Sequence, residues 1–444
     1  MRFLQFLIIF WLGIHAQWAL AFLPIQHWQT ANGAQVYFVE NHDLPILDLS
    51  VEFPAGSSTD TAETSGRAAL VQRLMSMGAG GLSEDKIAET LADVGANLGG
   101  SFDLDRAGLS LRTLSREKER TRALDVLAQI IQHPEFPGKI LERERARIIA
   151  ALKEADTKPE VIADRVLMKL LYGKHPYGLR ETGEAATLTA LQRQDLVDFY
   201  RARYTAGNAI IAIIGDIRRE EADRIAETLT RNLPAGKSDT TLPPVGKPVP
   251  ATEKIAHPAT QSHIQLAYPG LSRKDPDYFP LLVGNYILGG GGFVSRLMKE
   301  IRETRGLAYS VYSVFMPYRE KGPFEIGLQT KKEQAEQALQ LTRKTLSDFV
   351  EQGPTEEELQ AARQNIVGGF PLRIDSNQKI LGYLGVIGFY DLPLTYLEDY
   401  VKAVEKVTVA QIKDAFQRRI DPAGMVTVVV GAEQKQTAPD FSCC

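Results

Sequence analysis

One stretch of twenty residues occurs twice, and its two copies close the two halves of the chain. Residues 196–215 (LVDFYRARYTAGNAIIAIIG) align without a gap to residues 412–431 (IKDAFQRRIDPAGMVTVVVG). Asp198 matches Asp414, Arg203 matches Arg419, and Gly215 matches Gly431. Each copy reads as a helix, a turn and a buried strand stopped by glycine, so the chain is expected to hold two copies of one folding unit. Between them, residues 233–250 carry five prolines among Gly, Lys, Ser and Thr, the composition of a linker. The expectation is two similar α/β domains, each a sheet covered on one face by helices. They occupy residues 22–232 and 259–436, with 233–258 as linker and 437–444 as tail.

The N-terminus reads as a cleaved secretory signal over residues 1–21. Arg2 supplies a positive start, an apolar run follows over residues 3–14, and Ala19-Leu20-Ala21 offers a small-x-small cleavage site. The run is shorter than the ~20 residues that span a bilayer, so no stable membrane span is expected after cleavage. The mature chain is then expected to work in a periplasm or otherwise secreted. With 51 Lys and Arg against 55 Asp and Glu, no net positive charge is present to hold a nucleic acid backbone. The two cysteines, Cys443 and Cys444, are the last two residues and leave no internal pair for a disulfide framework or a zinc knuckle.

Alternating and helical patterns place strands at 35–40, 46–53, 108–114 and 208–215, with turn residues at Asn41-His42-Asp43. Helices are expected at 64–76, 83–94 (Ser83 as N-cap, Gly95 as stop), 121–132 and 140–155. In the second half, four glycines, Gly289, Gly290, Gly291 and Gly292, end a helix begun near Tyr278 and start another that runs to about Glu303. Arg302 then sits at a helix end and Tyr309 on the following strand. A guanidinium and a phenol together can donate to peptide carbonyls or to a developing oxyanion. A solvated helix-end charge and a half-buried strand tyrosine are the alternatives at this point.

The Gly-rich turn followed by S-R-L-x-x-x-I-R-x-x-x-G-L-A-Y-S-V, the loop His175-Pro176-Tyr177-Gly178 and the repeated end of each half resemble the pitrilysin/insulinase-type zinc peptidases, the inverzincins. The resemblance covers nearly all of the mature chain. It implies an α+β fold of two homologous domains, each a mostly antiparallel sheet with helices on one face, forming half of a clamshell. It also implies that Arg302 and Tyr309 bind substrate and stabilise the transition state opposite a zinc site.

The zinc half of the pattern is missing. Where the family carries H-x-x-E-H, this chain has Ala69, Gln72 and Arg73 at the two ligand positions and the general base. The position of the third ligand falls at Ala150 or Ala151. A methyl group and a guanidinium offer no lone pair to a metal, and a carboxamide takes no proton from water at neutral pH. No other pair of histidines has ligand spacing; His257 and His263 come closest, six residues apart. No metal ligand and no catalytic residue is therefore expected on this chain alone, and no cofactor bound by it, with zinc on a partner. The expected function is the non-zinc subunit of a pitrilysin-type metallopeptidase, lending Arg302 and Tyr309 to a homologous zinc-bearing subunit that cleaves peptides, with the linker letting the halves open and close on substrate. The alternative is a non-catalytic peptide-binding scaffold, possibly homodimeric.

Overall fold

The computed structural model describes residues 24–431. The signal segment and the Cys443-Cys444 tail lie outside the described residues. The first sheet holds β1 (Gln26–Gln29), β2 (Gln35–Glu40), β3 (Ile46–Phe53), β6 (Asn97–Phe102), β7 (Ala107–Leu114) and β8 (Ile210–Gly215); β4 (Gly78–Ala79) and β5 (Leu82–Ser83) form a separate hairpin. The second sheet holds β9 (Thr252–Ile255), β10 (Gln261–Pro269), β11 (Ala308–Phe315), β12 (Pro323–Lys331) and β13 (Val426–Val430).

The strand orders are β1-β2-β8-β3-β7-β6 and β11-β12-β10-β13-β9. In the first, β8 lies between a parallel β2 and an antiparallel β3. In the second, β13 lies between a parallel β9 and an antiparallel β10. Apart from β1 the two sheets have the same order and the same sense, so the repeat runs through all five strands of each half. The paired glycines of the repeat have a shared physical reason. Gly215 and Gly431 both have positive φ, +147° and +91°. A side chain on Gly215 would strike the Ile46 carbonyl at the start of β3, and one on Gly431 would lie 2.7 Å from the Gln261 carbonyl at the start of β10.

The helices sit where the pattern places them, with shorter ends in some cases. Ser83 caps Glu84–Asp93 by accepting from the Lys86 amide at 3.2 Å. The helix expected at 64–76 runs only from Arg67 to Leu74, because Gly66 enters it with φ +93° and the buried Asp60 caps it through the Gly66 and Ala68 amides at 3.0 and 3.1 Å.

Each half's own helices cover one face of its sheet, as expected. The second face of each is covered by a helix from the other half. Helix Pro159–Tyr172 lays Ala163, Leu167 and Leu171 on Ala267, Val426, Val428 and Val430 of the second sheet. Helix Asn377–Phe389 lays Leu384 and Ile387 on Tyr37, Val39, Ala212 and Ile214 of the first. Each of these helices is the third long helix after the corresponding β7 or β12 hairpin strand, so the halves exchange equivalent elements.

Charge and hydrogen bonds fasten the exchange. The buried Asp105 carboxylate, between β6 and β7, accepts from the Tyr177 hydroxyl at 2.6 Å, the Tyr390 hydroxyl at 2.9 Å and the Arg319 amide at 2.6 Å. The linker is tied down as well: its Pro243 carbonyl accepts from His175 Nε2 at 2.8 Å, its Asp239 carbonyl from Arg203, and its Thr240 carbonyl from Arg319. A linker held this way joins halves that share two buried helices. Separating the halves would expose both exchanged helices, at about 1.5–3 kcal/mol for each large apolar side chain.

Glycine on the exchanged helix makes the close approach. A Cβ at Gly388 would stand 2.6 Å from both Ile210 Cγ2 and the Tyr37 ring, whereas one at Gly382, on the same helix, meets nothing within 4 Å. Gly388→Leu is expected to destabilise the chain by about 1–3 kcal/mol through overpacking. Gly382→Ala is expected to stabilise it by about 0.5–1 kcal/mol through helix propensity. Urea midpoints of the two variants test this, and a Gly388 variant as stable as wild type would refute the close packing of this helix.

Candidate functional site

Arg302 and Tyr309 come together as the sequence leads one to expect, on opposite sides of a tight turn. The chain leaves helix Tyr278–Asn285 through a wide helical turn, Tyr286–Gly290, closed by the Gly291 amide on the Tyr286 carbonyl at 2.8 Å. Gly289 is buried against Ser313 of β11, and the Asn285 side chain holds Ser313 with bonds of 2.7 and 3.1 Å. Gly290 and Gly292 are exposed and Gly291 is half-buried, and Gly292 turns the chain with φ +62°. A second wide turn, Met298–Glu303, carries Arg302, and β11 carries Tyr309 at a register shift between Ala308 and Val311.

The Arg302 guanidinium carbon lies 4.5 Å from the Tyr309 ring centroid and 4.6 Å from that of Phe293. Both rings are largely exposed, Tyr309 at 80% and Phe293 at 63%, and Val294 beside them is exposed too. The rings hold the cation by its face. Among the described residues no carboxylate pairs with it, and neither its in-plane N–H groups nor the Tyr309 hydroxyl has a hydrogen-bond partner. Phe293 is the member of this cluster that motif reading missed; its signal is the aromatic residue that ends the glycine run.

The other half of the family pattern is rebuilt with different chemistry. Helix Arg67–Leu74 buries Ala68, Leu70, Val71 and Leu74, which leaves Ala69, Gln72 and Arg73 on its outer side. Gln72 donates to the Gly108 carbonyl at 3.4 Å and packs against Gly100. Arg73 donates to Glu144 Oε2 at 2.7 Å, and Arg143 and Arg147 take Oε1 of the same fully buried side chain at 2.8 and 3.1 Å. Burial works against the charge on Glu144, but the bonds from Arg73, Arg143 and Arg147 outweigh it and hold the carboxyl below its ordinary pKa. Ala150 is exposed on helix Gly138–Ala155. A methyl, a carboxamide and a guanidinium already bound to a carboxylate do not fit a zinc ion. Among the described residues no group of three His, Cys, Asp or Glu is placed to hold a metal. The Arg73–Glu144 pair joins the two helices on which the family pattern places its ligands.

A second electrostatic feature lies between the halves. Glu325 on β12 is buried, 3.3 Å from the Tyr312 hydroxyl and 3.4 Å from Gln265 Nε2. Burial, with Asp164 of the exchanged helix nearby, pushes its pKa up to about 7. Burial with Asp103 and Asp164 pushes Glu181 up to about 7 as well. Because these carboxyls bind protons more tightly in the folded state than in the unfolded, stability is expected to fall as pH rises from about 4.3 to 7. Glu325→Gln should flatten that fall and leave the variant about 2 kcal/mol more stable than wild type at pH 8. Denaturation midpoints at pH 5 and pH 8 measure this; a wild type no more pH-sensitive than the variant would contradict it.

Comparison with known proteins places this geometry. Residues 36–183 match the family Insulinase (Peptidase family M16), and residues 190–366 match the family Peptidase M16 inactive domain. The crystal structure of a peptidase M16 inactive domain from Pseudomonas fluorescens is similar at 38% identity and TM-score 0.90, covering 93% of this chain and 98% of that one. A relative from Helicobacter pylori, named non-peptidase homolog YmxG, is 24% identical over 97% of this chain and 99% of its own length. The periplasmic protease PqqL from Escherichia coli shares the fold at TM-score 0.77 and 17% identity, with this chain covering 46% of it. No helix among the described residues is long and apolar enough to cross a membrane. The chain belongs to peptidase family M16, the insulinase family, as a homologue that lacks the H-x-x-E-H motif and keeps the C-terminal R…Y pair.

Proposed function

We propose that this chain is the non-zinc subunit of a two-chain peptidase, in which Arg302 and Tyr309 bind the substrate backbone and steady the charge that develops on the scissile carbonyl. The observation that supports this most is the asymmetry between its two half-sites. Arg73 and Gln72 are committed to bonds within the chain, while Arg302 and Tyr309, stacked on each other, have no hydrogen-bond partner among the described residues. A half-site of donors aimed outward has use only when something outside the chain supplies acceptors. Zinc on the partner would supply the activated water, and this chain would position peptide against it. The N-terminal signal pattern supports a place of work outside the cytoplasm.

Zinc content and peptide cleavage of the purified mature chain, alone and mixed with an H-x-x-E-H homologue from the same organism, test the proposal. The expected result is no zinc and no cleavage alone, and cleavage on mixing above that of the homologue by itself. Stoichiometric zinc with chelator-sensitive cleavage by the lone chain would overturn it. Peptide binding without any gain in cleavage on mixing would favour a binding scaffold, for which the exposed Phe293–Arg302–Tyr309 cluster is equally suited.

A further inference from the structure

A cleft of about 550 Å³ opens where the two halves meet, and none of Phe293, Arg302 or Tyr309 lines it. That volume falls in the range of small-molecule sites. Its lining includes apolar and aromatic residues, Tyr37 of β2, Ile210 of β8, and Phe389 and Tyr390 at the end of the exchanged helix. It also includes cations, Arg273 and Arg319 from the second half and Lys237 from the linker. Lys274, also in the lining, is neutralised by Asp391 at 2.7 Å. The other three cations have no carboxylate partner among the described residues.

The two arginines are shaped for a ligand. Arg319 lies 5.0 Å from the Phe389 ring and Arg273 5.3 Å from the Tyr390 ring, and those rings are 5.0 Å apart and nearly perpendicular. Stacking satisfies the faces of the guanidinium groups and leaves their in-plane donors unused. Arg319 gives one of these to the Thr240 carbonyl at 3.2 Å, and Arg273 Nε is buried with no acceptor at all. The remaining in-plane donors of the two groups carry no hydrogen bond among the described residues, which leaves them for an anion in the cleft.

The geometry points to this cleft as a binding site for a small aromatic anion, its ring against Tyr37, Phe389 and Tyr390 and its carboxylate or phosphate on Arg273 and Arg319. The site is built from both halves and the linker, so a ligand here also clasps the exchanged helix in place. It stands independently of the composite-peptidase reading.

Calorimetric titration of the mature chain at low salt with phenyl phosphate, with N-acetylphenylalanine and with phenol tests the site. At least one anion is expected to bind with 1:1 stoichiometry and a Kd below about 1 mM, and phenol is expected not to bind. Binding of phenyl phosphate alone would identify a phosphorylated ligand. Binding of N-acetylphenylalanine alone would identify the C-terminal carboxylate of a peptide. Arg319→Met should weaken binding about tenfold or more, and Lys237→Glu, on the exposed linker, should weaken it without touching the fold. Failure of both anions to bind, or binding that survives Arg319→Met and Lys237→Glu unchanged, overturns the assignment.

Discussion

Asp105→Ala is expected to lower the stability of the whole chain by about 3–5 kcal/mol, the loss seen when one partner of a buried charged network is removed. The carboxylate is 4% exposed and accepts three bonds, from Tyr177 in its own half and from Arg319 and Tyr390 in the other. Alanine would leave two phenol hydroxyls, on side chains 0% and 6% exposed, without the carboxylate that accepts from them. Tyr177→Phe removes one of the three donors and the acceptor of the Glu320 amide but leaves the carboxylate bound by the other two, so it should cost less, about 1–2 kcal/mol. Because the halves exchange helices across this point, urea should unfold both in one transition, and Asp105→Ala should shift that transition as a unit. Two separate transitions in wild type, with only one moved by the variant, would show that Asp105 does not clasp the halves.

Much of the fold was legible from residue patterns. Residues 35–40 and 46–53 alternate and run apolar as buried strands do, and both appear with those bounds as β2 and β3. The repeat was visible in its last twenty residues because a strand that must stop against a neighbouring carbonyl keeps its glycine, as Gly215 and Gly431 do. The exchange of helices was not legible. Ala163, Leu167 and Leu171 state that a helix has an apolar stripe, but periodicity carries no information on which sheet receives it. Gly385 and Gly388 read as weak helix residues until the sheet they approach is known. In the site, the R…Y spacing was legible because seven residues bridge one turn. The ring of Phe293 on Arg302 and the Arg73–Glu144 pair were not, since the first depends on how the glycines fold and the second joins residues 71 positions apart.

Tyr309→Phe in the two-chain peptidase is expected to lower kcat about 10²–10³-fold with little change in the affinity between subunits, the effect of removing one preorganised donor to an oxyanion. The phenylalanine ring keeps the stacking contact with Arg302, 4.5 Å from the present ring centroid, so the substitution isolates the hydroxyl from the platform that carries it. Arg302→Lys tests the other donor: it keeps the charge and gives up the planar fork and the stacking on Phe293 and Tyr309, and it should lower kcat/KM more through KM than Tyr309→Phe does. Neither variant should move the denaturation midpoint by more than about 0.5 kcal/mol, because Tyr309 is 80% exposed and no carboxylate among the described residues pairs with Arg302. That separation matters, since a merely structural tyrosine would change stability and leave turnover per complex intact. Steady-state kinetics of the mixed subunits, with complex formation measured in parallel by sedimentation, reads both quantities. Full turnover in the Tyr309→Phe complex would remove the hydroxyl from the chemistry and leave the cluster a peptide-binding platform alone.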